Sequence, residues 1–295
     1  MKAILDLLRG IVIGIANIIP GVSGGTMAVS MGIYDKLIGA VSNLFKDFKR
    51  NLLFLLPLLI GMGVGIVGFG KLLEYLLEYH VLATCLTFVG LILGGVPVLW
   101  VHLKGSVSKK PGGRLGAAEV ACFALLLAVG VGLPLLQGSE GAVKAMSLSV
   151  GSIVILFLLG VIASATMVIP GVSGSMVLMV LGYYSTILAQ VTGLLDSLLA
   201  RDWAALGHCV GLLAPFGVGV VLGIFLIAKL IEWLFKKFPS QTYAAIIGLI
   251  VASPFGILYS SGALESFSTI GLIVGLVLGA AGGWVTWLMG EKEPA

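Results

Sequence analysis

Apolar runs long enough to cross a bilayer follow one another along almost the whole chain, separated by short charged or Gly/Pro-containing stretches. About 20 mostly apolar residues make a helix that spans the roughly 30 Å hydrocarbon core. On that measure the chain predicts spanning helices at 51–79, 81–103 and 115–136 in its first half, and at 208–235, 241–259 and 267–289 in its second. Ahead of each triplet lies an apolar segment interrupted by Pro-Gly. Residues 1–41 form two legs of about 18 residues around the first interruption, and legs at 145–169 and 176–190 flank the second. Two legs meeting at a tight break predict a helical hairpin, either re-entrant or fully spanning. The alternating pattern of a membrane β-barrel is absent.

The interruptions are copies of one another. Pro20-Gly21-Val22-Ser23-Gly24-Gly25 returns as Pro170-Gly171-Val172-Ser173-Gly174-Ser175, an offset of 150 residues, and Gly32-Ile33-Tyr34 meets Gly182-Tyr183-Tyr184 at the same offset. After an eight-residue insertion, an offset of 158 aligns Pro57 with Pro215, Gly61 and Gly65 with Gly219 and Gly223, Lys71 with Lys229, and Glu74 with Glu232. Chance likeness between leucine-rich segments would not align prolines, glycines and charges together. The expected organisation is therefore two repeats, 1–142 and 143–295, each a broken hairpin followed by three spans.

Composition agrees with an all-α integral membrane protein. Hydrophobic residues make up 59% of the 295 positions and charged residues 10%, against roughly 25% charged in soluble domains. The segment before the first break carries Lys2, Asp6 and Arg9 and no small-residue cleavage site, so it reads as mature protein rather than a leader. Cys85, Cys122 and Cys209 show neither C-x-x-C spacing nor a histidine cluster, which argues against disulfides, metals or other cofactors.

The net charge of +4 sits in short loops beside apolar runs, which argues against a nucleic-acid partner and for a role in orientation. A hairpin returns to its starting side, so each half makes three net crossings and the second half is inverted relative to the first. With both termini cytoplasmic, the inner face receives Lys2, Arg9, Lys46, Lys49, Arg50, Lys104, Lys109, Lys110, Arg114, Lys236, Lys237 and Lys292. The outer loops keep only Lys144 and Arg201.

Irregular backbone at membrane depth is tolerated only where protein shelters it or a polar cavity borders it. Two facing breaks, each followed by a helix start with free N–H groups, suit a small anion. The candidate phosphate-binding residues are Asn17, Gly21, Ser23, Gly24, Gly25 and Thr26 from the first copy, with Gly171, Ser173, Gly174 and Ser175 from the second. The plainer alternative is that these small residues only let helices cross closely. Lys71 with Glu74, and Lys229 with Glu232, share a helix face at i,i+3 and are candidate gating or coupling groups; snorkelling to the interface is their plainer alternative. No catalytic set is apparent around His80, His102 or His208.

The run N-I-I-P-G-V-S-G-G-T at 17–26, its partner V-I-P-G-V-S-G-S at 168–175 and the G-I-Y and G-Y-Y turns resemble the polyprenyl-phosphate transporter (PopT) family, formerly a membrane family of unknown function. The likeness covers nearly the whole chain. It implies a cytoplasmic-membrane flippase that returns undecaprenyl phosphate, or a related polyprenyl phosphate, from the outer to the inner leaflet for reuse in cell-wall synthesis. H+ and Na+ both stay open as coupling ions. The motif is also similar to the P-G-x-S-R-S signature of undecaprenyl-diphosphate phosphatases, but Gly24 and Gly174 stand where that signature has arginine. Phosphoryl transfer needs positive charge on the departing group, so the substitution favours a carrier over an enzyme. A small-anion secondary transporter is the remaining alternative.

Overall fold

The computed structural model describes residues 2–19, 22–110, 112–136, 143–144 and 146–289. Among them are thirteen α-helices and no strand: α1 (Lys2–Ala16), α2 (Gly24–Ser30), α3 (Tyr34–Ser42), α4 (Phe48–Tyr79), α5 (Val81–Leu93), α6 (Val96–Ser108), α7 (Ala117–Leu135), α8 (Val150–Val168), α9 (Gly174–Val180), α10 (Tyr184–Ala200), α11 (Trp203–Lys237), α12 (Pro239–Ser260) and α13 (Thr269–Met289). Among the described residues seven segments are long and apolar enough to cross a membrane: α4, α5 with α6, α7, α8, α11, α12 and α13. They include all six expected spans, and the seventh is the leg that precedes the second break. Many of their apolar side chains face outward, such as Val67 at 85% exposure, as lipid-facing surface does. The chain is a multi-pass membrane protein. Helix α1, at 15 residues, reaches only about 22 Å and is shorter than its counterpart α8.

Each second leg, expected as one helix, is two. Glycine ends the short helices α2 and α9, with Gly32 at φ 69° and Gly182 at φ 71°, a left-handed conformation that side chains with a Cβ resist. In both turns the residue after the glycine donates back five positions, Ile33 N to Ala28 O at 3.0 Å and Tyr183 N to Leu178 O at 2.9 Å. Helices α9 and α10 consequently meet at 116°. The expected span 81–103 is one candidate span, Val81–Ser108, in which a short turn at Gly94-Gly95 joins α5 to α6. A Cβ at Gly94 would overlap the backbone of Gly283 and one at Gly95 that of Ser30, so the glycines sit where the neighbouring helices come closest. Helix α6 then runs on to Ser108, past the expected end at 103. Pro57 and Pro215, by contrast, lie inside unbroken helices.

The main helix pairs are α1 on α4, α8 on α11, α5 on α13 and α7 on α12. Glycine sets the closeness of the first two. Gly61 and Gly65 of α4 press on the backbone of Leu7 and Ile11, and Gly219 and Gly223 of α11 press on that of Phe157 and Val161. Close crossing through small residues is how helices associate in lipid. Arg9, expected at a membrane face, is instead 2% exposed and bonded to Asp6 at 3.3 Å within α1. The larger buried core gathers residues of α1, α2, α3, α5, α6 and α12 around the first break.

Candidate functional site

The two breaks meet back to back. Ser23 caps α2 in extended conformation, φ −113° and ψ 150°, and its Oγ accepts the Thr26 N–H at 3.2 Å. This is the expected use of serine at a helix start. Thr26 Oγ1 lies 2.9 Å from Ser23 Oγ and accepts the Gly171 N–H of the second break at 2.7 Å. Gly171 has φ 81°, and a Cβ there would stand 2.8 Å from the Leu249 carbonyl oxygen. A second tie runs beside the first, where the buried Tyr34 hydroxyl donates to the Val168 carbonyl at 2.9 Å. Gly25 packs on that same carbonyl, with its Cβ direction 2.9 Å from the oxygen.

In front of this joint is a cavity of about 520 Å³. Its polar end holds Asn17, Ser23, Gly24 and Gly25 from the first break and Ser173, Gly174 and Ser175 from the second. Its walls are apolar: Leu37, Ile38 and Val41 of α3, Leu55, Leu58, Leu59 and Met62 of α4, and Ile224 and Ala228 of α11. Leu59 is 59% exposed, so the apolar wall continues to the outer surface of the helix bundle. Among the described residues the lining includes no charged side chain.

The two serine groups differ. Ser23 is committed to its cap, whereas Ser173 makes no side-chain cap bond to α9, and its Oγ pairs with Ser175 Oγ at 2.8 Å. Both hydroxyls of the second break can therefore turn toward a ligand without uncapping a helix.

Seven of the ten expected phosphate-binding residues line the cavity. Thr26 and Gly171 stand behind its wall as the joint, and Gly21 lies outside the described residues. The expected gating residues are elsewhere. Lys71, Glu74 and Lys229 are exposed on α4 and α11, and among the described residues no ion pair joins Lys71 to Glu74 or Lys229 to Glu232. Glu232 instead accepts from Lys236 Nζ at 2.6 Å, from Asn43 Nδ2 at 3.0 Å and from the Ser42 hydroxyl.

Tyr34 is a site residue that motif reasoning missed, although the doubled Gly-x-Tyr was its signal. Glu119 is 2% exposed and accepts from Lys110, from Ser240 Oγ at 2.9 Å and from the Gly116 N–H at 2.9 Å. Among the described residues, no three His, Cys, Asp or Glu side chains gather as a metal site requires, and the three cysteines are unpaired thiols.

A family model described as undecaprenyl phosphate translocase-like matches residues 13–266. A protein of Staphylococcus aureus named polyprenyl-phosphate transporter is 30% identical over 258 residues, covering 86% of this chain and 85% of that protein. One of Vibrio cholerae with the same name is 30% identical over 271 residues, covering 86% of this chain and 77% of that protein. No solved structure matches. A match of this extent, over the residues that build both breaks and the cavity between them, means that the chain belongs to the undecaprenyl phosphate translocase-like family.

Proposed function

We propose that this protein is a carrier that moves a polyprenyl phosphate, undecaprenyl phosphate in the first instance, from the outer to the inner leaflet of the cytoplasmic membrane. The observation that carries the reading is the cavity itself, in which uncharged hydrogen-bond donors from both breaks face one end of an otherwise apolar chamber. Such a chamber fits an amphiphile. The phosphate would accept from the Ser173 and Ser175 hydroxyls, the Asn17 amide and the N–H groups at the start of α2, while the prenyl chain would lie along α3 and α4 and leave past the exposed Leu59.

Neutral donors suit a carrier. Hydrogen bonds to a charged group are worth roughly 1.5–3 kcal/mol each, enough for recognition when several converge, and without a fixed cation the ligand is free to leave. The same lack of positive charge in the lining leaves a departing phosphoryl group unsupported. The relatives are named as transporters and not as enzymes.

Alternating exposure of the cavity would follow from rocking of two inverted repeats, 1–142 against 143–295, with both termini cytoplasmic. This is supported by the pairing of α1 with α4 and α8 with α11, which are equivalent under the sequence offsets, and of α5 with α13 and α12 with α7, which exchange between the halves. The joint at Thr26–Gly171 and Tyr34–Val168 is where such rocking would be borne.

The test follows surface-exposed undecaprenyl phosphate with a head-group-binding antibiotic in cells with and without the protein. Accumulation at the outer surface in its absence is expected, and an unchanged surface pool overturns the reading. Phosphate release from undecaprenyl diphosphate by the purified protein, lost in Ser23→Ala, would establish an enzyme instead.

A further inference from the structure

Beside the central cavity lies a second hollow, of about 560 Å³, that the transport reading leaves unassigned. It opens between the end of α3, the turn that follows and α11, and Phe45, Lys46, Phe225, Lys229, Trp233 and Lys236 are among its lining residues. Neighbouring positions on each helix serve the two spaces. Ile224 and Ala228 face the central cavity while Phe225 and Lys229 face the second hollow, and Val41 and Ser42 divide in the same way. The seam between α3 and α11 is therefore a shared wall, and Glu232 closes it by accepting from Ser42 and Asn43.

The chemistry of the hollow is two-sided. Its one carboxylate, Glu232, is paired with Lys236, whereas Lys46 and Lys229 carry no ion pair among the described residues. Lys229 sits about two turns inside the end of α11 at Lys237, where holding an ammonium without a counter-charge is costly. Next to these cations, Phe45 is 80% exposed and stacks on Phe225 with ring centres 5.7 Å apart. A free anion would need only the lysines, and an apolar ligand only the rings; a lipid with a phosphate head uses both. We propose that this hollow binds the phosphate head group of a lipid at Lys46 and Lys229, with the first carbons of its chain on Phe45 and Phe225. Its use as a waiting position beside the central cavity rests on the transport reading; the binding itself stands on the local chemistry.

The test uses the full-length protein in phosphatidylcholine nanodiscs with a photoreactive dodecyl phosphate, the labelled peptides being mapped by mass spectrometry. Labelling within 42–46 and 225–236 is expected. It falls at least fivefold in Lys46→Gln/Lys229→Gln, is retained in Lys46→Arg/Lys229→Arg, and is displaced by dodecyl phosphate but not by dodecyl maltoside. Equal labelling in the Gln variant, or equal displacement by the maltoside, overturns the proposal in favour of an apolar trap. Displacement by inorganic phosphate as effective as by dodecyl phosphate overturns it in favour of a free-anion site. Labelling within 17–26 and 167–176, and its loss in Ser173→Ala, reports on the central cavity in the same experiment, so either reading can fail alone.

Discussion

Thr26 Oγ1 accepts the backbone N–H of Gly171 at 2.7 Å, across 145 positions of sequence. The residue that follows the first Pro-Gly break thus satisfies a donor in the second, and it does so while its own N–H is capped by Ser23. A buried peptide N–H must be paired, and Thr26 itself is fully buried. The second break is therefore completed by the first, and the cavity in front of them rests on this hydroxyl together with the Tyr34–Val168 tie.

Replacing Thr26 by valine keeps the shape and removes the acceptor. Leaving the Gly171 N–H unpaired costs about 1–3 kcal/mol, so Thr26→Val should lower the unfolding midpoint in detergent and raise amide exchange at residues 171–175. Thr26→Ser keeps the hydroxyl and should restore most of both. Exchange that is unchanged in the valine variant would show that the tie does not hold the second break.

Gly25 makes a sharper demand, because a Cβ there would lie 2.9 Å from the Val168 carbonyl oxygen and 3.2 Å from that of Met167. Backbone cannot give way as a side-chain tip can. Gly25→Ala should force the breaks apart and reduce transport at least tenfold. Gly68→Ala, with no atom within 4 Å of the added carbon, should transport as the parent does. Vesicles reconstituted with each variant and assayed side by side for transport check both.

These two positions show what could be read from sequence and what could not. Pro, Gly and Ser stand out in apolar surroundings, and their duplication pointed to Ser23, Gly24, Gly25, Ser173, Gly174 and Ser175, all of which line the cavity. The doubled Gly-x-Tyr marks Tyr34 but not its role, because its partner is a carbonyl 134 positions away, and a carbonyl carries no sequence signature. Glu232 has lysines at i−3 and i+4, both within helical reach. Only the position of α3, which brings Ser42 and Asn43 alongside, favours Lys236 over Lys229. Gly94 and Gly95 lie in apolar sequence, and what requires glycine there is the backbone of α13 and α2 packed against them.

Glu119 ties the start of α7 to the segment before it and to α12, through Lys110, Gly116 and Ser240. All three partners donate, so Glu119→Gln places an amide donor among donors. Stability should fall by about 1–3 kcal/mol, read as a lower unfolding midpoint. Neither Glu119 nor any of the three lines the central cavity, so binding of an alkyl phosphate there should be unchanged at temperatures where the variant is folded. Weakened binding would reveal coupling between the two places.

The serines of the two breaks should separate binding from stability. Ser173 and Ser175 bond to each other and Ser173 caps no helix through its side chain, so replacing both by alanine removes two donors to the ligand at little cost to the fold. With each bond to a charged acceptor worth roughly 1.5–3 kcal/mol, Ser173→Ala/Ser175→Ala should weaken alkyl phosphate binding more than tenfold and leave the unfolding midpoint near that of the parent. Ser23 faces the same cavity but holds the Thr26 N–H, and loss of such a cap costs about 1 kcal/mol. Ser23→Ala should therefore lower stability as well as binding, and through Thr26 it should disturb the bond to Gly171. Thermal unfolding and binding isotherms on the same preparations distinguish the two. If the double variant binds as the parent does, the second break is a structural element alone and the ligand is held by the first.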